Sequence, residues 1–105
     1  MFDIQDIRAL YNGHAVNYTK HFLKRLDERK IAKDEVASAI FSGGIIEQIL
    51  DDEPLPSVLI LGYNDDGKPL HIAISIDAAE IWLVTAYYPT LDVWEADYKT
   101  RKVIL

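Results

Sequence analysis

One break in periodicity constrains this chain more than any other feature. Up to Ser42 the apolar residues recur at helical spacing, and beyond Gly43-Gly44 they alternate or run continuously, as in strands. The glycine pair reads as a helix stop, because Gly adopts the left-handed C-terminal cap without strain. Helices first and consecutive strands after define an α+β class. The expected architecture is a set of N-terminal helices on one face of an antiparallel sheet of about four strands. The opposite face would be partly open.

Three helices are expected ahead of the break. Phe2–Leu10 is the first, with Phe2, Ile7 and Leu10 as packing positions and Asn12-Gly13 as its end. The second covers Thr19–Ile31, with Thr19 as N-cap and Phe22, Leu23 and Leu26 on its apolar face. The third runs from Lys33 to Ser42, with Val36, Ala39, Ile40 and Phe41 turned to the core. Its first turn holds Asp34 and Glu35, where the helix dipole favours acids.

The strands follow from alternation and turn residues. Ile45–Leu50 is the first and Ser57–Tyr63 the second. Asn64-Asp65-Asp66-Gly67 makes a hairpin into Pro69–Ile76. There Leu70, Ile72, Ile74 and Ile76 share one face, and His71 points to the other, open one. A short turn at Asp77–Glu80 leads to Ile81–Tyr88, ended by Pro89. Two registers are open for this last pair. One puts Leu70 and Ile72 on a face with Thr85 and Tyr87. The other joins His71 and Ala73 to Tyr87 and Thr85 and sends Trp82, Val84 and Ala86 into the core. A one-residue slip exchanges the faces, and the second register is the one expected here. Beyond Pro89 the tail carries Trp94, Tyr98, a basic cluster at Lys99, Arg101 and Lys102, and an apolar end, Val103-Ile104-Leu105.

The chain has 105 residues, which suits one domain that gains stability from a partner, another copy of itself included. It has no cysteine, which excludes disulfides and thiol chemistry and suits a reducing, cytoplasmic setting. No leader is expected in MFDIQDIRALY, and no segment reaches the ~20 apolar residues of a membrane span. The formal net charge of −6 argues against nonspecific coating of nucleic acid. The charge is uneven, however. Residues Lys20 to Lys33 sum to about +4, leaving about −10 on the rest.

That basic stretch contains His21, Arg25 and Arg29, which recur every four residues and form one stripe beside the apolar face. Such a row is either a solvated face paired with Asp27 and Glu28 or an anion site. His14, His21 and His71 have no metal-ligand spacing, so neither a metal nor another cofactor is expected. What remains is a set of residue types suited to cutting RNA through its own 2′-hydroxyl. A His serves as base or acid near neutral pH. An Arg fork holds a phosphate with two hydrogen bonds. A Tyr donates a proton or stacks on a base.

The order of these residues carries a resemblance. His21-x-x-x-Arg25-x-x-x-Arg29-x-Ile31, then Glu35-Val36, Gly43-Gly44 and Ile46-Glu47, resembles the family called domain of unknown function 4258. So do Pro69-Leu70-His71, Thr85-x-Tyr87-x-Pro89 and Trp94. The match runs from about Tyr18 to Lys102. Residues 1–17 then read as an added helical extension, and 18–105 as a single α+β toxin-like domain. That family is similar to RelE-like and MqsR-like bacterial toxins, small domains of the barnase–RelE class. The resemblance implies a metal-independent endoribonuclease that cleaves RNA, on or off the ribosome, and is silenced by a cognate antitoxin. By position it carries over His21, Arg25, Arg29, His71, Thr85 and Tyr87. Our reading of their roles makes His21, Arg25, His71 and Tyr87 catalytic and gives RNA contacts to Arg29, Thr85, Lys99 and Arg101. Two departures stand out: Ala32 sits where a capping Ser or Thr is expected, and the body is acidic. The alternative function is a non-catalytic protein-binding module or an inactive toxin homologue.

Overall fold

The structure is a computed structural model that describes residues 2–77 and 79–103. Ala78, in the expected short turn, and Ile104-Leu105, the apolar end, lie outside the described residues. Among the described residues the chain is α+β, with three helices and one open sheet. Its elements are α1 (Ile4–Asn12), β1 (Val16–Tyr18), α2 (Lys20–Arg29), α3 (Lys33–Ser42), β2 (Gly44–Ile49), β3 (Ser57–Tyr63), β4 (Pro69–Ile76) and β5 (Ile81–Tyr87). Among the described residues no helix is long and apolar enough to cross a membrane.

The sheet has five strands, not four, in the order β1-β5-β4-β3-β2. It is mixed rather than antiparallel, since β1 runs parallel to β5 while the other pairs are antiparallel. β1 has only three residues, too few to show a period of two. Its partner supplies what its own sequence does not signal. Ile7 of α1 is fully buried in the common core, so residues ahead of 18 contribute to both sheet and core.

The core lies between the helices and one face of the sheet. Phe22, Leu26, Val36, Ala39 and Ile40 meet Val58, Ile60, Leu70, Ile72, Ile74, Ile76, Ile81, Leu83 and Ala86. Two expected helix-face residues are elsewhere: Leu23 and Phe41 are exposed. Phe41 packs edge-on against Tyr11 of α1 instead.

Local chemistry fixes the helix ends. Thr19 caps α2 by accepting from the Phe22 amide at 3.1 Å, and its hydroxyl donates to the Leu83 carbonyl on β5 at 3.1 Å. A cap of this kind is worth about 1 kcal/mol, and this one also pins the helix to the sheet. The left-handed residue that closes α2 is Lys30, at φ 57°. Ala32 gives α3 no side-chain cap, and the Glu35 carboxylate takes the Ala32 amide at 2.7 Å instead. Glu35 also accepts from Asn64 and from the Tyr88 hydroxyl, tying α3 to the β3–β4 hairpin and to the end of β5.

Gly43 is not the expected left-handed cap, since its backbone is extended. It is small for another reason. A Cβ there would lie 2.1 Å from the Leu61 carbonyl oxygen of β3. Close approach of α3 to β3 therefore requires the glycine.

The β4–β5 pairing uses both registers. His71 faces Tyr87 and Ala73 faces Thr85, as expected, but Ile74 faces Leu83 and Ile76 faces Ile81. A bulge in β5 at Val84 joins the two halves, because one extra residue reverses the faces of everything beyond it. Of the three residues expected in the core from β5, only Ala86 is there. Trp82 is half-buried and Val84 exposed, while Ile81 and Leu83 take the core positions.

Candidate functional site: the β4–β5 face and its C-terminal strap

β4 and β5 bring His71, Ala73, Thr85 and Tyr87 to the face turned away from the helices. That face is not open at His71, contrary to expectation. Residues 90–103 cross it as a strap. The Val93 and Thr90 carbonyls and an Asp97 cap fold the strap into a tight turn, with Trp94 paired to Arg101. Trp94 is 2% exposed and His71 0%. The residues buried here are apolar Leu59 and Leu61, the Trp94 ring and one imidazole. Water is excluded from the imidazole by a segment that turn residues alone did not predict.

The imidazole is held on every side. Its Nε2 lies 2.7 Å from the Tyr98 carbonyl oxygen and its Nδ1 3.2 Å from the Tyr87 hydroxyl. The Trp94 ring meets it edge-on, with centroids 4.4 Å apart. A carbonyl only accepts, so Nε2 carries the proton. In the neutral ring Nδ1 is then an acceptor, and the Tyr87 hydroxyl donates to it. Arg101 lies over the Trp94 ring and binds Glu47 of β2 with two hydrogen bonds, at 2.8 and 3.0 Å. This clamp joins the strap to the far edge of the sheet.

Arg29, at the end of α2, donates to the Thr85 hydroxyl at 3.0 Å and to the Ala86 carbonyl at 2.8 Å. β1 pairs with β5 only as far as Leu83, so the Arg29 guanidinium meets a carbonyl that β1 does not reach. Thr85 and Tyr87 are two residues apart on the same face. Arg29, Thr85, Tyr87 and His71 thus form one run, from the β5 edge to the centre of the face. Arg25 and His21 stand one and two turns back along α2. Arg25 is paired with Glu28 at 2.9 Å, and His21 is exposed. Lys99 is exposed beside a hollow of about 340 Å³ lined by Gly44, Ile45, Ile46 and Leu61. Arg101 is committed to Glu47.

Electrostatics match this geometry. Burial pushes the His71 imidazole below its ordinary value of 6.5, the Tyr98 carbonyl and Glu47 oppose this, and Arg101 adds to it. Burial pushes the Tyr87 phenol up, and the charges of Arg101 and Arg29 partly offset that. His71 also gives the fold a pH dependence. Below pH 6.5 the unfolded chain binds a proton that the folded chain resists, so this contribution is full above that value. It is lost as pH falls through the depressed folded value. The thermal unfolding midpoint is expected to fall between about pH 7 and pH 5, and to fall less in His71→Gln. Melts followed by circular dichroism check this, and equal falls in the two proteins would contradict it.

Three participants stand outside the site residues expected from the sequence, although Glu47 and Trp94 belong to the motifs that carry the family resemblance. Trp94 had no spacing that tied it to His71. The Tyr98 carbonyl depends on a left-handed backbone, at φ 57°. Glu47 looked like an ordinary strand carboxylate.

Comparison with curated proteins and with solved structures gives no match. A family profile does match, over residues 18–88. Those residues include His21, Arg25, Arg29, His71, Thr85 and Tyr87, while the strap lies beyond them. The matched segment is more than half of the chain, which therefore belongs to the family described as Domain of unknown function (DUF4258).

Proposed function

We propose that this chain is a toxin-like, metal-independent endoribonuclease of a toxin–antitoxin pair, acting in the cytoplasm. The observation that carries this reading is the Tyr87 hydroxyl, set against the unprotonated Nδ1 of His71 on the same stretch of β5 that anchors Arg29. The resemblance of that family to RelE-like and MqsR-like toxins, drawn from the sequence, is the reason for choosing this chemistry.

In this reading the 2′-hydroxyl of RNA gives its proton to the Tyr87 oxygen, and Tyr87 passes its own to His71 Nδ1. The 2′-oxygen bonds to phosphorus and the P–O5′ bond breaks. Water gives a proton to the departing 5′-oxygen, because His21 stands two turns, about 12 Å, from Arg29 along α2 and out of hydrogen-bond reach of that oxygen. The products are a 2′,3′-cyclic phosphate and a 5′-hydroxyl. Arg25 and Arg29 hold the phosphate as charge builds on its oxygens. The Arg25–Glu28 pair is no obstacle, since an exposed i,i+3 pair is worth only about 0.3–0.5 kcal/mol. Thr85 fixes the Arg29 guanidinium, and Lys99 contacts a flanking phosphate. The acidic body repels RNA away from this stripe and suits an antitoxin with a basic surface.

Induced expression in a bacterium is expected to arrest growth, and Tyr87→Phe or Arg25→Ala at equal protein level to relieve the arrest. A second reading, a protein-binding module, is favoured by the edge strand β2, where Ile49 is 50% exposed and Leu50 beside it 49%. Unimpaired growth with well-expressed folded protein would select that second reading.

A further inference from the structure

Tyr98 sits in the left-handed region, at φ 57°, although it is not glycine. A bulky residue pays about 1 kcal/mol or more for that conformation. Here it brings the carbonyl oxygen to 2.7 Å from His71 Nε2, beneath the strap. The turn that holds it is closed by the Tyr98 amide to the Glu95 carbonyl and by the Asp97 carboxylate on the Lys99 and Thr100 amides. Trp94 fixes the plane of the imidazole, and the Arg101–Glu47 clamp fixes the strap to β2.

We infer that the strap is a positioning element, whose Tyr98 carbonyl sets the tautomer of His71 and thereby the direction in which protons move through Tyr87. An imidazole with its proton on Nε2 presents a bare Nδ1 to Tyr87, so the hydroxyl must donate. The Tyr87–His71 pair then takes a proton in through the phenol oxygen and stores it on Nδ1. With the proton on Nδ1 instead, the ring would donate to Tyr87, and the phenol proton would point elsewhere. The pair would then be a proton donor rather than an acceptor. In the direction set here the transient imidazolium keeps its Nε2–H on the Tyr98 carbonyl, with the Glu47 carboxylate near enough to favour it. Tyr98, Trp94, Arg101 and Glu47 thus act through His71. The statement about RNA rests on the proposed ribonuclease reading. The statement about the tautomer does not.

The test is nitrogen NMR of the full chain, carrying 15N-labelled histidine, at a pH where His71 is neutral. The native chain is expected to show a single His71 tautomer, protonated on Nε2. Arg101→Ala removes the clamp at a side chain that is 56% exposed. There the two His71 nitrogen signals are expected to move toward each other, as in a ring that exchanges between tautomers. Amide spectra of β4 and β5 report that the fold is kept. In Trp94→Ala the same change is expected, and Trp94→Phe, which keeps a ring edge on the imidazole, restores the native pattern. RNA cleavage by Arg101→Ala is expected to fall about tenfold, the scale of a lost supporting contact. A proton on Nδ1 in the native chain, or His71 signals unmoved in folded Arg101→Ala, overturns the inference. A correct tautomer in a chain that cleaves no RNA overturns the ribonuclease reading alone.

Discussion

Gly62→Ala is expected to unfold the protein or leave it barely stable. A Cβ on Gly62 of β3 would lie 2.0 Å from the Ala39 carbonyl oxygen and 2.5 Å from that residue's carbonyl carbon and Cα. These are backbone atoms of α3 and cannot rotate aside. The helix would have to lift from the sheet, carrying the buried Val36, Ala39 and Ile40 with it. Overpacking costs about 1–3 kcal/mol in ordinary cores and more where backbone is struck. A domain of this size has about 5–15 kcal/mol in all. Urea unfolding followed by circular dichroism measures the loss. A change below about 1 kcal/mol would mean that α3 does not sit this close to β3. Gly44 is the internal control, since nothing lies within 4 Å of a Cβ placed there.

The largest functional effect is expected from Tyr87→Phe. The substitution removes one oxygen and keeps the ring against His71, so the sheet should persist. Stability is expected to fall by about 1 kcal/mol, the cost of leaving His71 Nδ1 without its donor. Cleavage of RNA is expected to fall about 100-fold or more, the usual scale of a lost acid–base group. Measured together, the two numbers separate a catalytic hydroxyl from a packing one. If activity falls no further than stability explains, Tyr87 is strand packing.

Some of this was legible before the structure. The change of period at Gly43-Gly44 located the helix-to-strand switch because hydrophobic spacing reports which side of an element faces the core. Thr19 was legible as a cap, and the Asn64–Gly67 turn as a hairpin, because each is a local rule. Gly67 does take a positive φ, at 77°. Failures occurred wherever a distant residue decides. β1 is a strand only because β5 offers it an edge. The Val84 bulge joins two registers that alternation treats as exclusive. Gly43 and Gly62 are small because α3 and β3 nearly touch, and helix-stop logic gave Gly43 the wrong reason.

At the site, the residue types were legible and their surroundings were not. Alternation places His71 off the helix-facing side, as found, yet it is covered, because the strap folds back through Tyr98 and Trp94. Spacing alone makes the stripe on α2 one unit. The structure ties Arg29 to Thr85 and Ala86 and leaves Arg25 and His21 further back along the helix. Arg29 therefore has both a structural bond to the β5 edge and a place beside the proposed phosphate. Arg25 is the cleaner substitution for testing RNA contact.

The central claim is that Tyr87 and His71 take the 2′-proton in a metal-independent cleavage. The purified chain should be added to a bacterial translation extract containing a labelled messenger RNA, which supplies ribosomes as well as RNA. The cleaved ends should be compared with those left by Tyr87→Phe. The purified chain should also meet free RNA in the presence of a metal chelator, with a 2′-deoxy substitution at the cut nucleotide as control. The account predicts fragments ending in a 2′,3′-cyclic phosphate, no cut at the 2′-deoxy position, and near-complete loss with Tyr87→Phe. Intact RNA in both settings, or cleavage that survives Tyr87→Phe or the 2′-deoxy substitution, would contradict it.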